Sequence, residues 1–382
     1  MLIRSALLGS LIALTACSSE GGSGGEGGSA GGSVGGVGGS AGKSVGGSAG
    51  GSVGGSAGAA ASVDVRQFEA LPDNPPIELP ACPEWDCLNQ SDPTLARLPS
   101  GKLAVWYAAG GDESSSFPVV GRAVLESDGW HRDAAPVMVP ETNVWDVARE
   151  TPSVLWNDAL QRFDIWYLGY AQDYFTDPAI GQARSLDPDG TTWSRPSAPI
   201  YRPSPGAWDE DFITSPSVVV GSDGVWRLYY AGASFAQNGG RMRIGVLTST
   251  DGETWTPHPG NPIFTGEAGT WDESLLDCNV QFVDGRYVMW YSAFDGTLDD
   301  NAAISVGVST SSDGYAFQSE GEPMLTPIPN TWMDMHVLDV EVLKENDGSL
   351  LMVGYGRSFT SPDPNFPDFS PGRVGFWRSP AL

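Results

Sequence analysis

Five matching tripeptides recur in this 382-residue chain, each at the start of a short run of strand-forming residues, and three of them begin with an aspartate. The matching tripeptides are Asp92-Pro93-Thr94, Thr151-Pro152-Ser153, Ser215-Pro216-Ser217, Asp277-Cys278-Asn279 and Asp339-Val340-Glu341. Like charges that converge on one pocket destabilise one another unless they are protonated, paired or metal-bound. Glycosidic bond cleavage uses such a set, because one carboxylate activates water and another, with a raised pKa, protonates the leaving oxygen. Asp92, Asp277 and Asp339 are therefore candidates for acid–base chemistry.

Four further residues near these strand starts complete the candidate set. Glu150, directly before Thr151, would add a fourth carboxylate, and its neighbour Arg149 would pair with it or clamp a substrate. Ser215 stands in the third copy where the first has an acid, and it is a candidate for substrate binding. His336, one of three histidines, precedes the fifth strand, where it would contact substrate or serve as a buried structural residue.

These positions belong to a repeat about 60 residues long, which opens on a tryptophan. The opening residues are Trp85, Trp145, Trp208, Trp271 and Trp332. In the third copy, strands are predicted over Ser217–Val220, Trp226–Ala231 and Arg243–Ser249, with a fourth after the Asp251-Gly252 turn. Five such four-stranded antiparallel units predict an all-β, five-bladed propeller, whose inner strands start around one mouth of a central channel. We expect the repeated tryptophans to pack between blades rather than to stack on sugars.

The amino-acid composition limits the classes of binding partner. The chain has 47 acidic and 20 basic residues and a net charge of −27, which argues against nucleic acid or an anionic lipid surface as partner. A carbohydrate-facing surface is compatible with this charge, and so is acidity that serves solubility alone. No phosphate-binding glycine loop and no zinc-type Cys/His spacing is present in the sequence.

The amino-terminal residues predict export. Residues 1–17 have a positive charge at Arg4, a short apolar core and the ending Leu14-Thr15-Ala16-Cys17, which resembles the lipobox of bacterial lipoproteins. Cys17 would then carry the lipid, and the serines that follow it favour the outer membrane or cell surface. Residues 18–62 are rich in Gly and Ser and predict a disordered tether, so that the propeller would span residues 63–382.

An exported protein meets an oxidising compartment, where cysteines pair. Two disulfides are possible alternatives, Cys82–Cys87 and Cys87–Cys278. Either one leaves the third cysteine as a small buried hydrophobe.

The chain resembles the five-bladed propeller glycosidases of glycoside hydrolase family 43 and its relatives, families 32, 62, 68, 117 and 130. The resemblance covers about residues 80–380. It rests on Asp92-Pro93, on second strands such as Tyr229-Tyr230-Ala231, and on Ser-x-Asp-Gly-x-x-Trp turns such as Ser249–Trp255. It implies that Asp92 is the general base and that Asp277 lies where family 43 has a glutamate as general acid. Ser215 departs from the aspartate that tunes this acid in family 43, which leaves Glu150 and Asp339 as supporting acids.

The sequence thus predicts a surface-tethered glycoside hydrolase that acts on poly- or oligosaccharides as a monomer. It needs no cofactor, although the resemblance allows a structural calcium in the central channel. A non-catalytic carbohydrate-binding lipoprotein on the same scaffold is the alternative, because function lies in the site and not in the fold.

Overall fold

The computed structural model describes residues 62–81, 84–87, 89–110, 118–139, 141–171, 176–297, 302–359 and 371–380. Within these ranges the chain forms twenty β-strands in five four-stranded antiparallel sheets. The prediction of an all-β, five-bladed propeller is confirmed. The predicted signal peptide, Cys17 and nearly all of the predicted tether lie outside the described residues.

The strands follow the chain order, apart from the first. Strand β1 (Glu69–Ala70) precedes the repeats. Blade 1 contains β2 (Asn89–Arg97), β3 (Leu103–Gly110), β4 (Val119–Glu126) and β5 (Gly129–Arg132). Blade 2 contains β6 (Ala148–Asn157), β7 (Arg162–Tyr170), β8 (Ala179–Ser185) and β9 (Trp193–Ser194). Blade 3 contains β10 (Phe212–Val220), β11 (Trp226–Ala233), the short helix α1 (Phe235–Asn238), β12 (Arg243–Ser249) and β13 (Thr256–Pro257). Blade 4 contains β14 (Ser274–Val283), β15 (Arg286–Phe294), β16 (Ser305–Ser311) and β17 (Gln318–Ser319). Blade 5 contains β18 (His336–Lys344), β19 (Leu350–Arg357), β20 (Arg373–Arg378) and, as its outer strand, β1.

The blades close into a ring. Each of the inner strands β2, β6, β10 and β14 contacts the next inner strand, and β18 contacts β2. Blade 5 is completed by the amino-terminal segment, since Glu69 pairs with Arg378 and Ala70 with Trp377. The fifth sheet therefore combines both ends of the propeller, which covers an edge that would otherwise be open.

A tryptophan–aspartate–tyrosine arrangement holds blades 1 to 4 together internally. Trp85 stacks on Tyr107 of its own blade with ring centroids 6.0 Å apart, and the Tyr107 hydroxyl donates to Asp86 at 2.9 Å. The equivalent hydroxyl bonds in the next blades are Tyr167 to Asp146, Tyr230 to Asp209 and Tyr291 to Asp272. The tryptophans pack in the core, as expected. Besides the tyrosines of their own blades, Trp208 and Trp271 also pack against core clusters that include residues of the preceding blade.

The Asp-Gly turns join neighbouring blades. The Trp106 indole of blade 1 donates to the Gly190 carbonyl of blade 2, and the Tyr229 hydroxyl of blade 3 donates to the Gly314 carbonyl of blade 4. Gln182 in blade 2 donates to the Gly252 carbonyl of blade 3 in the same way. In blade 4 the Trp290 indole donates to the carbonyl of Val65, at 2.9 Å. The amino-terminal segment therefore takes the place of a turn at the closing blade.

The cysteines are partly assigned by the structure. Cys87 is disulfide-bonded and Cys278 is free and buried, so the pairing of Cys87 with Cys278 is wrong. Cys82 falls outside the described residues. Nowhere in the described ranges does a helix reach the length and hydropathy that a membrane crossing needs.

Candidate active site

A β-bulge at the start of each inner strand places the candidate residues at the channel mouth. In four blades the ladder skips two residues, of which the first has a left-handed backbone. These residues are Asp92, Thr151, Ser215 and Asp339, with φ between 46° and 51°. Non-glycine residues rarely adopt this conformation, and bulges of this kind re-aim a side chain beside a functional site.

Blade 4 reaches the same place by a different route. Its bulge lies one residue earlier, at Leu276, so that Asp277 stays in the ladder opposite Ser292. Asp277 still stands two residues before Asn279, as Asp92 stands two residues before Thr94. Asp277 therefore joins the other four mouth residues without a left-handed backbone.

The mouth residues surround a small central cavity. Its lining comes from all five inner strands: Asp92, Pro93, Thr151, Pro152, Ser153, Ser215, Pro216, Ser217, Asp277, Cys278, Asn279, Asp339, Val340 and Glu341. The cavity has a volume of about 30 Å³, which is room for one or two water molecules and not for a sugar ring. A saccharide would therefore have to lie over the mouth, with the described residues as the floor of its site.

Three aspartates share hydrogen bonds in this floor. The Asp339 side chain lies within hydrogen-bonding reach of both Asp92 and Asp277. Asp277 also accepts from the Ser292 hydroxyl at 2.8 Å and from the backbone N–H of Asp339 at 3.2 Å. Asp92 accepts from the Ser91 hydroxyl at 3.1 Å. The three carboxyl groups form one cluster, although they lie far apart along the chain.

Burial and mutual repulsion keep protons on this cluster. Burial raises the pKa of Asp92 above its usual value and that of Asp277 to about 6. The pKa of Asp339 is raised most, first by burial and then by the negative charges of Asp277 and Asp92. Asp339 Oδ2 has no N–H or O–H donor within reach among the described residues. A proton on Asp339 removes the charge that would repel its neighbours and can be donated to one of their carboxylates. Neutral Asp339 beside two more acidic carboxyl groups is the division of protonation that acid–base catalysis uses.

Glu341 lies one layer deeper and was given no role from the sequence. Its Oε1 atom lies 3.3 Å from the Asn279 amide nitrogen and 3.4 Å from the Ser153 hydroxyl. Burial raises the pKa of Glu341 to about 8. The sequence contained one signal for Glu341. At the equivalent position the other four blades have neutral polar residues, which are Thr94, Ser153, Ser217 and Asn279.

Arg149 and Glu150 are not brought to the cavity. Glu150 is buried within the ladder one residue before the bulge, opposite Leu168, and accepts a hydrogen bond from the Tyr170 hydroxyl. Arg149 is 1% exposed and donates to Asp146 at 3.2 Å and to the Val139 carbonyl. Arg149 therefore holds blade 2 together and is not placed as a clamp for substrate.

His336 is also outside the cavity lining. It begins β18 opposite Arg357, is 2% exposed, and neither ring nitrogen has a hydrogen-bond partner among the described residues. Burial, with a smaller effect from the Arg357 charge, lowers the pKa of His336 to about 4. The imidazole is therefore neutral at physiological pH.

The structural calcium that the resemblance allowed stays a prediction. No group of three or more His, Cys, Asp or Glu side chains in this part of the chain has the arrangement of a metal site.

Comparison with known proteins supports the fold. No family model and no curated protein matches the sequence. Among solved structures, one from the GH130 family of mannoside phosphorylases and glycoside hydrolases superimposes with a TM-score of 0.61 at 17% identity, covering 83% of this chain and 94% of the other. A family 117 glycoside hydrolase of Zobellia galactanivorans gives 0.60 at 14% identity, covering 82% and 90%.

A third structure has the same fold and a different activity. The N-acetylgalactosamine deacetylase of F. plautii, in complex with blood group B trisaccharide, gives a TM-score of 0.57 at 18% identity and covers 82% and 95% of the two chains. At these identities the comparisons show that this chain shares the five-bladed propeller of known glycoside hydrolases. Families 117 and 130, both named in the resemblance, are among the neighbours.

Proposed function

We propose that the protein is an enzyme that cleaves glycosidic bonds in poly- or oligosaccharides at the mouth of the propeller channel. The observation that carries this proposal is the hydrogen-bonded cluster of Asp92, Asp277 and Asp339. These acids have unequal proton affinities and lie beside a cavity with room for water. The solved glycoside hydrolases of the same fold support the class of reaction.

Each acid has a role in this proposal. Asp92 is the general base that activates water. Asp277, with its pKa raised to about 6, protonates the leaving oxygen. Asp339 acts through the other two: its neutral carboxyl adds no negative charge beside them, and its proton can be donated to one of them at a time. Ser215 lines the floor between blades 2 and 4, and in this proposal it contacts the bound saccharide.

A second function competes because the acids also bond to the protein itself. Asp92 accepts from the backbone of Thr151, and Asp277 accepts from the backbone of Asp339. Bonds of this kind fix the ring of inner strands and need no catalysis. A non-catalytic propeller that binds carbohydrate over a rigid floor would use the same residues.

Activity assays on the chain from Ser18 onward, which lacks the predicted signal peptide, distinguish the two functions. We expect hydrolysis of some members of a panel of aryl glycosides and of plant and microbial polysaccharides. Asp92→Asn and Asp277→Asn should each lower kcat by about 10²- to 10⁴-fold, the usual contribution of a positioned acid or base. Asp158→Asn, in an exposed turn, is the matched control and should keep full activity.

Binding to the same polysaccharides, measured by affinity electrophoresis, completes the test. Asp92→Asn protein that still binds but no longer hydrolyses supports the enzyme. Unchanged activity in Asp92→Asn protein removes our assignment of the base. Binding by the unmodified protein without any hydrolysis favours the carbohydrate-binding function.

We also propose that Cys17 carries a lipid that holds the propeller at the outer membrane or cell surface. The basis is the sequence Leu14-Thr15-Ala16-Cys17 after an apolar run. Metabolic labelling with an alkyne fatty acid should tag the protein and leave Cys17→Ser protein untagged. Equal labelling of both proteins would contradict the assignment.

A further inference from the structure

Blade 4 contains a second cavity, separate from the channel. It has a volume of about 730 Å³, within the range of small-molecule sites. Its lining includes Phe264, Thr270, Trp271, Asp272, Phe317 and Ser319. None of these residues lines the central cavity.

The repeat register explains why the space is open in blade 4. In blade 1, Arg132 on the outer strand reaches Asp86 at 2.5 Å, and in blade 2 the equivalent Arg195 reaches Asp146 at 2.6 Å. Arg132 pairs with Ala123, two residues after Gly121 on the third strand. In blade 4 the equivalent glycine is Gly307. Ser309, two residues after it, pairs with Ser319. The guanidinium of blades 1 and 2 is thus replaced by a small hydroxyl.

A second partner of the aspartate is also replaced in blade 4. In blade 3, Tyr201 donates its hydroxyl to Asp209 at 2.6 Å and forms a bridge with Ile180 of the preceding blade. Phe264 makes the equivalent bridge, with Ile244, but has no hydroxyl to donate. Both replacements enlarge the space beside the aspartate of blade 4.

Within the described residues, no cation pairs with Asp272 as Arg132 and Arg195 pair with its counterparts in blades 1 and 2. It is 6% exposed, and it accepts one bond from the Thr270 hydroxyl and one from the Tyr291 hydroxyl. A carboxylate can accept about four hydrogen bonds. The Asp272 carboxylate can therefore accept further hydrogen bonds at the position where blades 1 and 2 place a guanidinium.

The rest of the lining includes acidic and aromatic residues, which suits a ligand that has a positively charged group on a hydroxylated ring. Glu267 and Glu322 add two exposed carboxylates, and the described lining contains no lysine or arginine. The nearby Arg66 donates to the Glu320 and Glu322 carbonyls rather than to Asp272. Tyr291 covers one face of Trp271, which together with Phe264 and Phe317 gives the cavity aromatic walls. Aromatic faces attract cations and also pack against the C–H faces of sugars.

We infer that this cavity binds an organic ammonium ligand of the size of a monosaccharide, of the amino sugar class. The ammonium group occupies the position of the missing guanidinium and donates to Asp272. The ring packs against the aromatic walls, while its hydroxyls donate to the carboxylates on the rim. The inference does not depend on the chemistry at the channel mouth.

Binding of glucosamine, followed by calorimetry and by tryptophan fluorescence, tests the inference on the chain from Ser18 onward. We expect saturable binding of glucosamine, with glucose and N-acetylglucosamine, which lack the charge, binding at least about tenfold more weakly. Ser319→Arg restores the residue of blades 1 and 2 and should abolish glucosamine binding. Ser319→Ala is the matched control and should retain it.

Folding and location are controlled separately. Ser319 is exposed on an edge strand, so an unchanged circular dichroism spectrum and melting temperature should show that the Ser319→Arg protein is folded. If that variant is unfolded, Thr270→Arg, which introduces the cation from the other side of Asp272, replaces it. Asp92→Asn protein should bind glucosamine normally. Failure of the unmodified protein to bind, equal binding of all three sugars, or unchanged binding by a folded arginine variant would each overturn the inference.

Discussion

Replacing Glu341 by glutamine should flatten the dependence of stability on pH. Burial in the channel raises the pKa of Glu341 from 4.5 to about 8. Between these values the unfolded chain has released this proton and the native protein still holds it, so the stability of the native protein falls as pH rises. At about 1.4 kcal/mol for each pH unit, Glu341 costs the native protein about 3 kcal/mol between pH 4.5 and neutrality, and about 5 kcal/mol above pH 8.

Urea unfolding of the native and Glu341→Gln proteins at a series of pH values measures this effect. Glutamine keeps the shape and the hydrogen-bonding capacity toward Asn279 but does not ionise. The difference in unfolding free energy between the two proteins should therefore shift by about 3 kcal/mol in favour of the variant from pH 4.5 to neutrality. Any constant cost of the substitution cancels in this comparison. Two stability curves that run parallel over this range would refute the reasoning that the channel keeps Glu341 protonated.

Two further predictions concern other parts of the propeller. His336→Asn should remove a loss of stability in acid, because the pKa of the native histidine is lowered from 6.5 to about 4 and only the unfolded chain gains a proton between these values. The native protein should lose about 3 kcal/mol from pH 6.5 to 4 relative to the variant in urea unfolding, and equal losses would contradict the burial of a neutral ring. Gly245→Ala should destabilise by about 1–3 kcal/mol in thermal unfolding, since its Cβ would lie 2.5 Å from the Trp208 ring. The exposed Gln318→Ala is the control, and equal melting temperatures would show that Trp208 does not need the space.

The architecture was predictable because every blade repeats the same local signals. Tryptophan, an aromatic second strand and an Asp-Gly turn recur in one order, and each has a physical role in the folded blade. The outer strand of blade 5 was not predicted. It consists of Glu69 and Ala70 alone, two residues with no alternation of apolar and polar side chains to mark a strand.

The sequence predicted which repeat positions lie at the site, but not which side chains contact one another there. The repeat placed Asp92, Asp277 and Asp339 at equivalent positions, and a ring of inner strands brings equivalent positions together. Glu150 was misplaced because it stands one residue before the bulge, and in a strand one residue decides which way a side chain faces. Glu341 was overlooked because its importance comes from burial, which the sequence does not display.

Completion of blade 5 by β1 has a consequence for how the protein comes to be folded. During synthesis the earliest strand emerges long before β20, the strand with which it pairs. Four blades can assemble from neighbouring segments as they appear, whereas the last sheet needs partners separated by nearly the whole propeller. Until β20 is made, the growing chain is an incomplete ring whose fifth sheet is unfinished. Premature arrest of translation would leave an unpaired strand edge that other chains can pair with.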